Sequence, residues 1–356
     1  MLKSLKIENF RCFQTFELQQ LGCLNLLVGT NNSGKTSILE AIGLLTSQSN
    51  LQSLASVMIN RGEYVVNEQA QSSRELDVRH LFYGHEIDIG SKFSISGRNQ
   101  NGEEGITITV EQTEQLNLFE ESPSLLLSIQ CLGLENNHLQ LPLSSQEGLS
   151  LNYLKPVRRD AKNSAVKTQF VVSSSLTSEK MIELFDQVVL TPDEPVVIQA
   201  LQIIEPSIER IATVGSEKFR FGGSRNGFVI RLANSDQRIP IGSMGDGTWR
   251  ILGLTLAMVN ARNGVLLVDE IDTGLHFSTM SDMWKLIYQM AKRLNVQVFA
   301  TTHNSDCWTS LADIASTENS SEEGITIQRI EKGKSNSVVF TERQVVIAAT
   351  QGIEVR

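Results

Sequence analysis

The spacing of hydrophobic residues along the chain changes between the period of a strand and the period of a helix. Near the N-terminus "LKSLKIENF" and "FQTFELQ" alternate apolar and polar residues as half-buried strands do, and "CLNLLVG" is a short apolar run. "KTSILEAIGLL" then spaces its apolar residues along one helical face. Two further apolar runs, "GVLLVDE" and "VQVFATT", flank the amphipathic segment "MSDMWKLIYQMAKRL". Strands that alternate with helices predict an α/β fold with a mixed or parallel sheet flanked by helices.

The middle of the chain follows a different pattern. Between about residues 47 and 75 the chain is polar and rich in Ser, Gln and Asn. Residues 91–143 contain several alternating runs, including "SKFSISG" and "GITITVEQ", which predict an antiparallel β arm. Within this region, residues 111–124 form a polar, acidic stretch typical of a loop or hairpin tip.

The predicted elements suggest a division into domains. Two helices are predicted after the β arm, with Thr177 and Asp193 as their N-caps. A helix over "GDGTWRILGLTLAMVNA" and a final hairpin with a short terminal helix complete the chain. We expect a discontinuous core of residues 1–50 plus 200–356, and an inserted β arm and helical subdomain at residues 51–200.

Composition and charge limit the classes of protein. The chain has 356 residues, 40% of them hydrophobic, a net charge of −9 and a pI of about 5.2. An acidic total argues against non-specific coating of nucleic acid, but it leaves a local basic groove open. The four cysteines are far apart and indicate reduced thiols. Neither a signal peptide nor a membrane span is recognisable, so we expect a cytoplasmic protein without a membrane partner.

A phosphate-binding loop stands between the third strand and the first helix. Gly29 to Thr36 fits G-x-x-x-x-G-K-[ST], in which the two glycines let the backbone N–H groups face phosphates. Lys35 would reach the β- and γ-phosphates, Thr36 would bind Mg²⁺, and Ser37 would add a contact to the α-phosphate. The residues predicted to surround the phosphates are Gly29, Thr30, Asn31, Asn32, Ser33, Gly34, Lys35, Thr36 and Ser37.

A pair of carboxylates follows the apolar run "GVLLV". Asp269 would end a central strand, where parallel sheets build their sites, and would hold the Mg²⁺ shell. Glu270 is a second carboxylate that can orient and polarise an attacking water. A simple GTPase would usually lack this glutamate, so the pair favours a nucleotide-hydrolysing machine of another class.

Two further segments indicate a nucleotide site only weakly when each is taken alone. Their order along the chain, relative to the phosphate loop and the Asp-Glu pair, is more informative. "SMGDGTW", Ser243 to Trp249, places a hydroxyl and two glycines before a helix N-terminus, which is an anion-facing arrangement. "ATTHNSD" places His303 just past a buried strand, where it would face a γ-phosphate. Alone, the first segment is more typical of a turn and the histidine of a structural residue. The informative feature is their order relative to the phosphate loop and the Asp-Glu pair.

That order resembles the ABC-type ATPases of the recombination and chromosome-maintenance kind, including RecF and the structural-maintenance-of-chromosomes proteins. "LKSLKIENFRCFQTFEL" followed by "NLLVGTNNSGKTSILEAI" is similar to their N-terminal lobe. Within the group, "GSMGDGTWRILGL", "VLLVDEIDTGLH" and "VFATTHNSDC" most resemble the compact ATPases related to OLD (overcoming lysogenization defect) proteins. The resemblance is strong over residues 1–45 and 238–306.

The resemblance implies a head-to-tail homodimer, or a higher oligomer, with ATP and Mg²⁺ in the interface. It also implies that Asp272 crosses the interface, that Arg11 approaches the nucleotide, and that a glutamine senses Mg²⁺, for which Gln169 is a weak candidate. ATP rather than GTP is implied by the resemblance alone. The residues placed around ATP are Lys35, Thr36, Asp269, Glu270 and His303 of one copy and Ser243, Gly245 and Gly247 of the other. Glu270, His303 and Lys35 would be catalytic.

The resemblance also bears on partners. OLD proteins continue into a Toprim nuclease domain, whereas this sequence stops at Arg356, so we expect any nuclease-like effector to be a separate polypeptide, plausibly in anti-phage defence. DNA would contact the one dense basic stretch, "KPVRRDAKNSAVK", although a solvated loop explains it equally well. The residues predicted to form the positive patch are Arg158, Arg159, Lys162 and Lys167.

The sequence favours an ATP-driven switch that controls an effector, and three other functions are alternatives to it. The main alternative is a RecF-like protein that clamps DNA in an ATP-dependent manner during repair. A transporter subunit is disfavoured by the "IENFRCF" opening and the large β insertion. A metabolic kinase is disfavoured because no stretch indicates a pocket for an acceptor substrate.

Overall fold

The computed structural model describes the chain in ten ranges, which form two compact units. The first unit comprises Met1–Gln20, Asn32–Val166 and Glu331–Ser337, and the second comprises Leu21–Asn31, Lys167–Ile330 and Val338–Arg356. The described ranges are residues 1–47, 51–67, 73–100, 102–112, 125–132, 138–154, 166–214, 227–233, 235–317 and 324–355.

Strands and helices are numbered in chain order. The strands are β1 (Leu2–Phe10), β2 (Phe13–Leu18), β3 (Leu24–Val28), β4 (Tyr64–Asn67), β5 (Ser73–Asp77), β6 (Lys92–Asn99), β7 (Gly102–Gln112), β8 (Leu125–Leu132), β9 (His138–Pro142), β10 (Gly148–Ser150), β11 (Thr168–Val171), β12 (Ile208–Thr213), β13 (Phe228–Leu232), β14 (Ile239–Pro240), β15 (Val265–Val268), β16 (Gln297–Thr301), β17 (Ile325–Arg329) and β18 (Val338–Thr341). The helices are α1 (Lys35–Ser47), α2 (Leu51–Arg61), α3 (Ser178–Asp186), α4 (Glu194–Leu201), α5 (Asp246–Asn260), α6 (Phe277–Leu294), α7 (Ser305–Thr317) and α8 (Glu342–Gln351).

The first unit is built on an antiparallel sheet with the order β2-β1-β6-β7-β8-β9. Alternate residues of its strands are buried, as the sequence pattern predicts; Leu5 and Ile7 of β1 and Ile95 of β6 are at most 1% exposed. A smaller sheet, β10-β5-β4, completes the unit. The predicted β arm is therefore continuous with the N-terminal strands, because β6 pairs with β1 over most of its length.

The second unit contains the predicted parallel sheet, with the order β11-β15-β16-β3-β17-β18. All neighbours in it are parallel except β17 and β18. Every residue of β3, β15 and β16 is buried, which explains their continuous apolar sequences. Because these strands are parallel, the residues that follow Val28, Val268 and Thr301 lie along one edge of the sheet.

Helices α3 to α8 belong to this second unit. The strongly amphipathic α6 buries Trp284, whose indole Nε1 donates to the carbonyl oxygen of Cys307 in α7 at 2.9 Å. Helix α5 is buried along nearly its whole length, as its apolar sequence predicts. None of the helices in the described ranges is long and apolar enough to cross a membrane.

Several expectations differ from this structure. The predicted boundaries at residues 50 and 200 do not coincide with the compact units, because β6–β9 share a sheet with β1 and because β11 pairs with β15. The polar stretch 47–75 contains α2, β4 and the first residues of β5, although its composition does not indicate these elements. Thr177 caps α3 through its hydroxyl, as predicted, but Asp193 forms no side-chain cap on α4. Its carboxylate instead binds Arg262 and Arg293.

Candidate active site

The phosphate loop runs from the end of β3 in the second unit to the start of α1 in the first. Gly29 has φ 144° and Asn32 has φ 59°, so the loop turns through backbone conformations that most side chains disfavour. At the other end of the loop, the N–H of Ile38 bonds to the carbonyl of Gly34 at 3.0 Å and begins the helix. The strand–loop–helix context that the motif requires is therefore present.

Gly34 cannot be replaced without disturbing the loop. Its φ is 97°, and a Cβ at this position would collide with the ring of Phe13 and lie 2.8 Å from the sulfur of Cys12. Both neighbours come from the turn between β1 and β2, within the same unit. The second glycine of the motif is thus required by backbone conformation and by packing.

A buried ion-pair cluster lies behind the start of α1. Arg11 is 3% exposed, and its Nε donates to Glu40 at 3.1 Å while Nη1 binds Glu63 and the carbonyl oxygen of His80. Burial raises the pKa of the Glu40 carboxyl, against the opposing effect of Arg11 and Arg61. The nucleotide contact of Arg11 remains a prediction, and the described contacts of its guanidinium are with these groups.

Arg61 is the arginine that reaches the end of the phosphate loop. It lies on α2, and its side chain is 36% exposed. Its Nε donates to Glu40 at 2.6 Å and its Nη2 donates to the hydroxyl of Ser37 at 3.4 Å. This contact could not be predicted from the sequence, because α2 lies in a polar stretch whose hydrophobic residues show no clear helical period.

Asp269 and Glu270 are fixed by a threonine of the neighbouring strand. The hydroxyl of Thr301 donates to Asp269 Oδ1 at 2.6 Å and accepts from the N–H of Glu270 at 2.8 Å. Thr301 is fully buried at the end of β16, whereas both acidic residues are half-buried. One hydroxyl therefore sets the rotamer of the first carboxylate and the backbone of the second.

His303 lies beside Glu270, and its predicted contact with the γ-phosphate remains a prediction. Its Nδ1 is 3.9 Å from Glu270 Oε1, and the two side chains are 51% and 42% exposed. The hydroxyl of Thr273 donates to Glu270 Oε2 at 3.3 Å. This second contact further restricts the orientation of the carboxylate. A solvent-accessible carboxylate next to an imidazole at the edge of a parallel sheet is able to orient and polarise a water molecule.

The donor chemistry of Asp269 fits a magnesium ion bound with a nucleotide. Mg²⁺ prefers oxygen ligands and is usually held by one or two carboxylates together with phosphate oxygens and waters. No group of three or more His, Cys, Asp or Glu side chains suited to a metal occurs within the described ranges. The Asp269 carboxylate, which the hydroxyl of Thr301 holds, is suited to a metal that arrives with ATP. The role of Thr36 as a metal ligand remains a prediction of the motif.

Asp272, which the resemblance places across a dimer interface, is hydrogen-bonded to the residue that follows β16. The hydroxyl of Thr302 donates to Asp272 Oδ1 at 2.7 Å, one residue beyond the threonine that holds Asp269. That Asp272 crosses a dimer interface remains a prediction. Consecutive threonines therefore connect the strand that leads to His303 with both acidic segments.

The segment Ser243–Trp249, called the signature segment from here on, is exposed in its first residues and buried at its end. Ser243 and Gly245 are exposed, and a Cβ added to Gly245 would meet no heavy atom within 4 Å. Gly245 has φ 87° and directly precedes α5, whereas a Cβ at Gly247 would lie 3.2 Å from the carbonyl oxygen of Gly274. The residues just before α5 are thus accessible, whereas Gly247 in its first turn is packed against Gly274.

Arg250 is a further residue of this site, besides Arg61 and Thr301, that the sequence does not single out. It is 2% exposed on α5, and its guanidinium donates to the carbonyl oxygens of Asp269 and Glu270, both at 2.8 Å. Burial lowers its pKa to about 10. Its partners are main-chain atoms, which have no signature in the sequence.

Other predicted positions give less information. Gln169 lies within β11, where it pairs with Leu266 of β15. Lys167 is exposed just before that strand. The other basic residues of the proposed DNA patch, Arg158, Arg159 and Lys162, lie outside the described residues.

Replacing Thr301 with Val should slow ATP hydrolysis by about 10- to 100-fold, because the outer partners of metal-binding residues have effects of that size. Valine keeps the shape of threonine but removes the hydroxyl that holds Asp269 and Glu270. Steady-state phosphate release would measure the effect, with Thr309→Val on α7 as a matched control. A rate equal to that of the wild type would refute the role given to the hydroxyl.

The chain matches a protein family over most of its length. The family is described as "AAA domain, putative AbiEii toxin, Type IV TA system", and the match spans residues 24–306. This range begins at β3 and ends three residues after His303, so it includes the phosphate loop, the signature segment and both acidic residues.

Individual proteins are similar to the chain to different extents. An ATP/GTP phosphatase of Helicobacter pylori is 24% identical over 348 residues, which is 86% of each protein. An OLD nuclease of Thermus scotoductus is 51% identical over only 45 residues, 13% of this chain and 8% of that protein. The crystal structure of an SMC head bound to the C-terminal winged-helix domain of ScpA matches 96% of this chain and 97% of its own, with a TM-score of 0.53 and 13% identity. The last comparison shows a shared fold.

Proposed function

The chain belongs to this AAA-domain family of P-loop ATPases, and from that premise we propose that it is an ATP-driven dimeric switch that controls a separate effector. The observation that carries the proposal is the arrangement of Glu270 and His303, 3.9 Å apart, with Asp269 held by Thr301. A carboxylate and a histidine at the edge of a sheet support ATP hydrolysis when a phosphate loop follows a neighbouring strand, as it follows β3 beside β16.

Each residue has a distinct role in the proposed hydrolysis. Lys35 and the loop N–H groups bind the β- and γ-phosphates, and Thr36 and Asp269 are the protein ligands of Mg²⁺. Glu270 accepts a proton from the attacking water or orients it, and His303 binds the γ-phosphate. When bound, Mg²⁺ neutralises charge that develops on the phosphate oxygens.

The exposed signature segment supports the dimer. Ser243 and Gly245 are exposed immediately before the first residue of α5, so a partner molecule can reach them. A second copy would bring its ATP against this segment, so that each nucleotide lies between two subunits. Hydrolysis would then separate the copies and change the state of the effector.

The proposal also includes the chemical nature of the effector. We propose that the chain is related to the compact ATPases of the OLD kind, and that its effector is a nuclease-like polypeptide in anti-phage defence. The family description, which names a type IV toxin–antitoxin system, supports a partner encoded separately. Copurification from the native host, followed by mass spectrometry, tests this; recovery of the ATPase alone under ATP would count against it.

The direct test of the proposed reaction is phosphate release by the purified wild-type protein with ATP or GTP. We expect turnover with ATP that falls at least about 10-fold when EDTA removes Mg²⁺, because the metal stabilises the transferring phosphoryl group. GTP in place of ATP examines the base preference, which the name of the Helicobacter pylori relative leaves open. Failure to hydrolyse either nucleotide, with or without DNA, would refute the proposed reaction.

A further inference from the structure

Arg250 connects α5, the helix that follows Ser243 and Gly245, to the main chain of Asp269 and Glu270. It lies on α5, three residues after Gly247. Its Nη2 donates to the carbonyl oxygens of Asp269 and Glu270 at 2.8 Å each, and its Nη1 donates to the carbonyl oxygen of Val172 at 2.7 Å. One buried side chain thus joins α5, the end of β15 and the segment after β11.

Glu270 depends on such contacts because its backbone is strained. Its φ is 46°, in the left-handed region that residues other than glycine seldom occupy. A strained backbone persists only where its surroundings hold it, and it is often found at functional sites. The N–H of Glu270 bonds to the hydroxyl of Thr301 and its carbonyl oxygen accepts from Arg250. Side chains of two other elements therefore hold the peptide groups on both sides of this residue.

The guanidinium is suited to this task. An arginine presents its N–H donors in a rigid planar fork, whereas a lysine has a compact ammonium group on a flexible stem. The Arg250 side chain uses this fork to hold carbonyl oxygens on two separate segments at once. A lysine would keep the charge but could not reproduce the same set of bonds.

We infer that Arg250 is a positioning residue that couples the signature segment to Glu270 of the same subunit. Under the proposed function, on which this inference rests, Ser243 and Gly245 contact the ATP of the partner copy. A displacement of the N-terminus of α5 by that contact would reach Glu270 through the Arg250 guanidinium. Nucleotide engagement at one site of the dimer thereby orients the catalytic carboxylate of the other.

The test is steady-state ATP hydrolysis by R250M and R250K in the full-length protein. We expect kcat of R250M to fall about 10-fold or more, as for other residues that orient a catalytic group from behind. The dissociation constant for ATP, measured with a fluorescent analogue, should stay within about twofold, because the phosphate loop is not altered. R250K should recover part of kcat, since it retains one donor group. If R250M does not fold, R250K with a wild-type kcat would still overturn the inference.

Asn260→Leu is the matched structural control. Asn260 also lies on α5, and its side-chain amide also donates to a main-chain carbonyl oxygen, that of Leu184. Its loss should lower thermal stability without a selective fall in kcat. An equal fall in kcat in N260L and R250M at equal melting temperature would show that Arg250 has only a structural role.

The failure of this inference can be distinguished from the failure of the proposed function. If the wild type hydrolyses ATP, E270Q does not, and R250M retains kcat within about twofold of the wild type, only the inferred coupling is wrong. If the wild type does not hydrolyse ATP, the proposed function fails, and the inference with it.

Discussion

Replacing Glu270 with Gln is expected to slow ATP hydrolysis by about 100-fold or more, the usual contribution of a positioned general base. Glutamine has almost the same shape, so it keeps the contact with Thr273 but removes the charge that polarises water. ATP binding should persist, because Glu270 lies outside the phosphate loop. The variant should therefore accumulate the ATP-bound dimer, which light scattering would detect as a doubling of mass on addition of Mg-ATP.

Glu183→Gln on α3 is the matched control for this variant, because it removes the charge of an exposed glutamate that pairs only with Lys180 among the described contacts. It should hydrolyse ATP like the wild type. If E270Q retains hydrolysis within about threefold of the wild type, Glu270 is not the residue that activates water. If a dimer or larger assembly is already present without ATP, nucleotide acts inside a preformed scaffold instead of assembling it.

Replacing Ser243 with Arg is expected to abolish the ATP-dependent increase in mass. It should also lower hydrolysis by about 100-fold, the size of effect seen when a preorganised donor to a transition state is lost. Ser243 is exposed in its own subunit, so an arginine at this position should fold normally. In the proposed dimer its long side chain would occupy the position of the partner's γ-phosphate. ATP affinity of the single subunit should be unchanged.

The combination of E270Q and S243R gives the clearest result. In the double variant, a mass that stays at that of one subunit with ATP bound would establish that the signature segment is needed for closure. Ser316→Arg, at an exposed serine on α7, controls for the added charge and bulk. A double variant that still dimerises with ATP would show that the copies meet through another surface.

The chemistry-bearing residues could be predicted from the sequence because they occur in local motifs. Gly34 and Lys35 are recognisable by their spacing, and the structure gives Gly34 the φ of 97° that the motif requires. Asp269 follows four fully buried residues of β15, as the apolar run predicts. His303 was a weak signal alone, and its place 3.9 Å from Glu270 depends on the pairing of β15 with β16.

Other features could not be predicted, for two physical reasons. The helix α2 buries Leu54, Ala55 and Met58 in a stretch whose composition is otherwise polar, and a short apolar face of this kind gives little periodicity. Arg250 and Thr301 act through hydrogen bonds to main-chain atoms or to a residue distant in the chain. Main-chain partners are the same for every residue type, so a sequence pattern cannot reveal them.

The sequence by itself determined the alternation of strands and helices, the phosphate loop and the acidic pair, because periodicity and motif spacing are local properties of the chain. Tertiary structure alone decided that β6 continues the sheet begun by β1. It also decided that one threonine fixes both acidic residues and that a buried arginine connects them to the signature helix. These contacts join residues far apart in sequence, and their geometry follows from the order and register of strands.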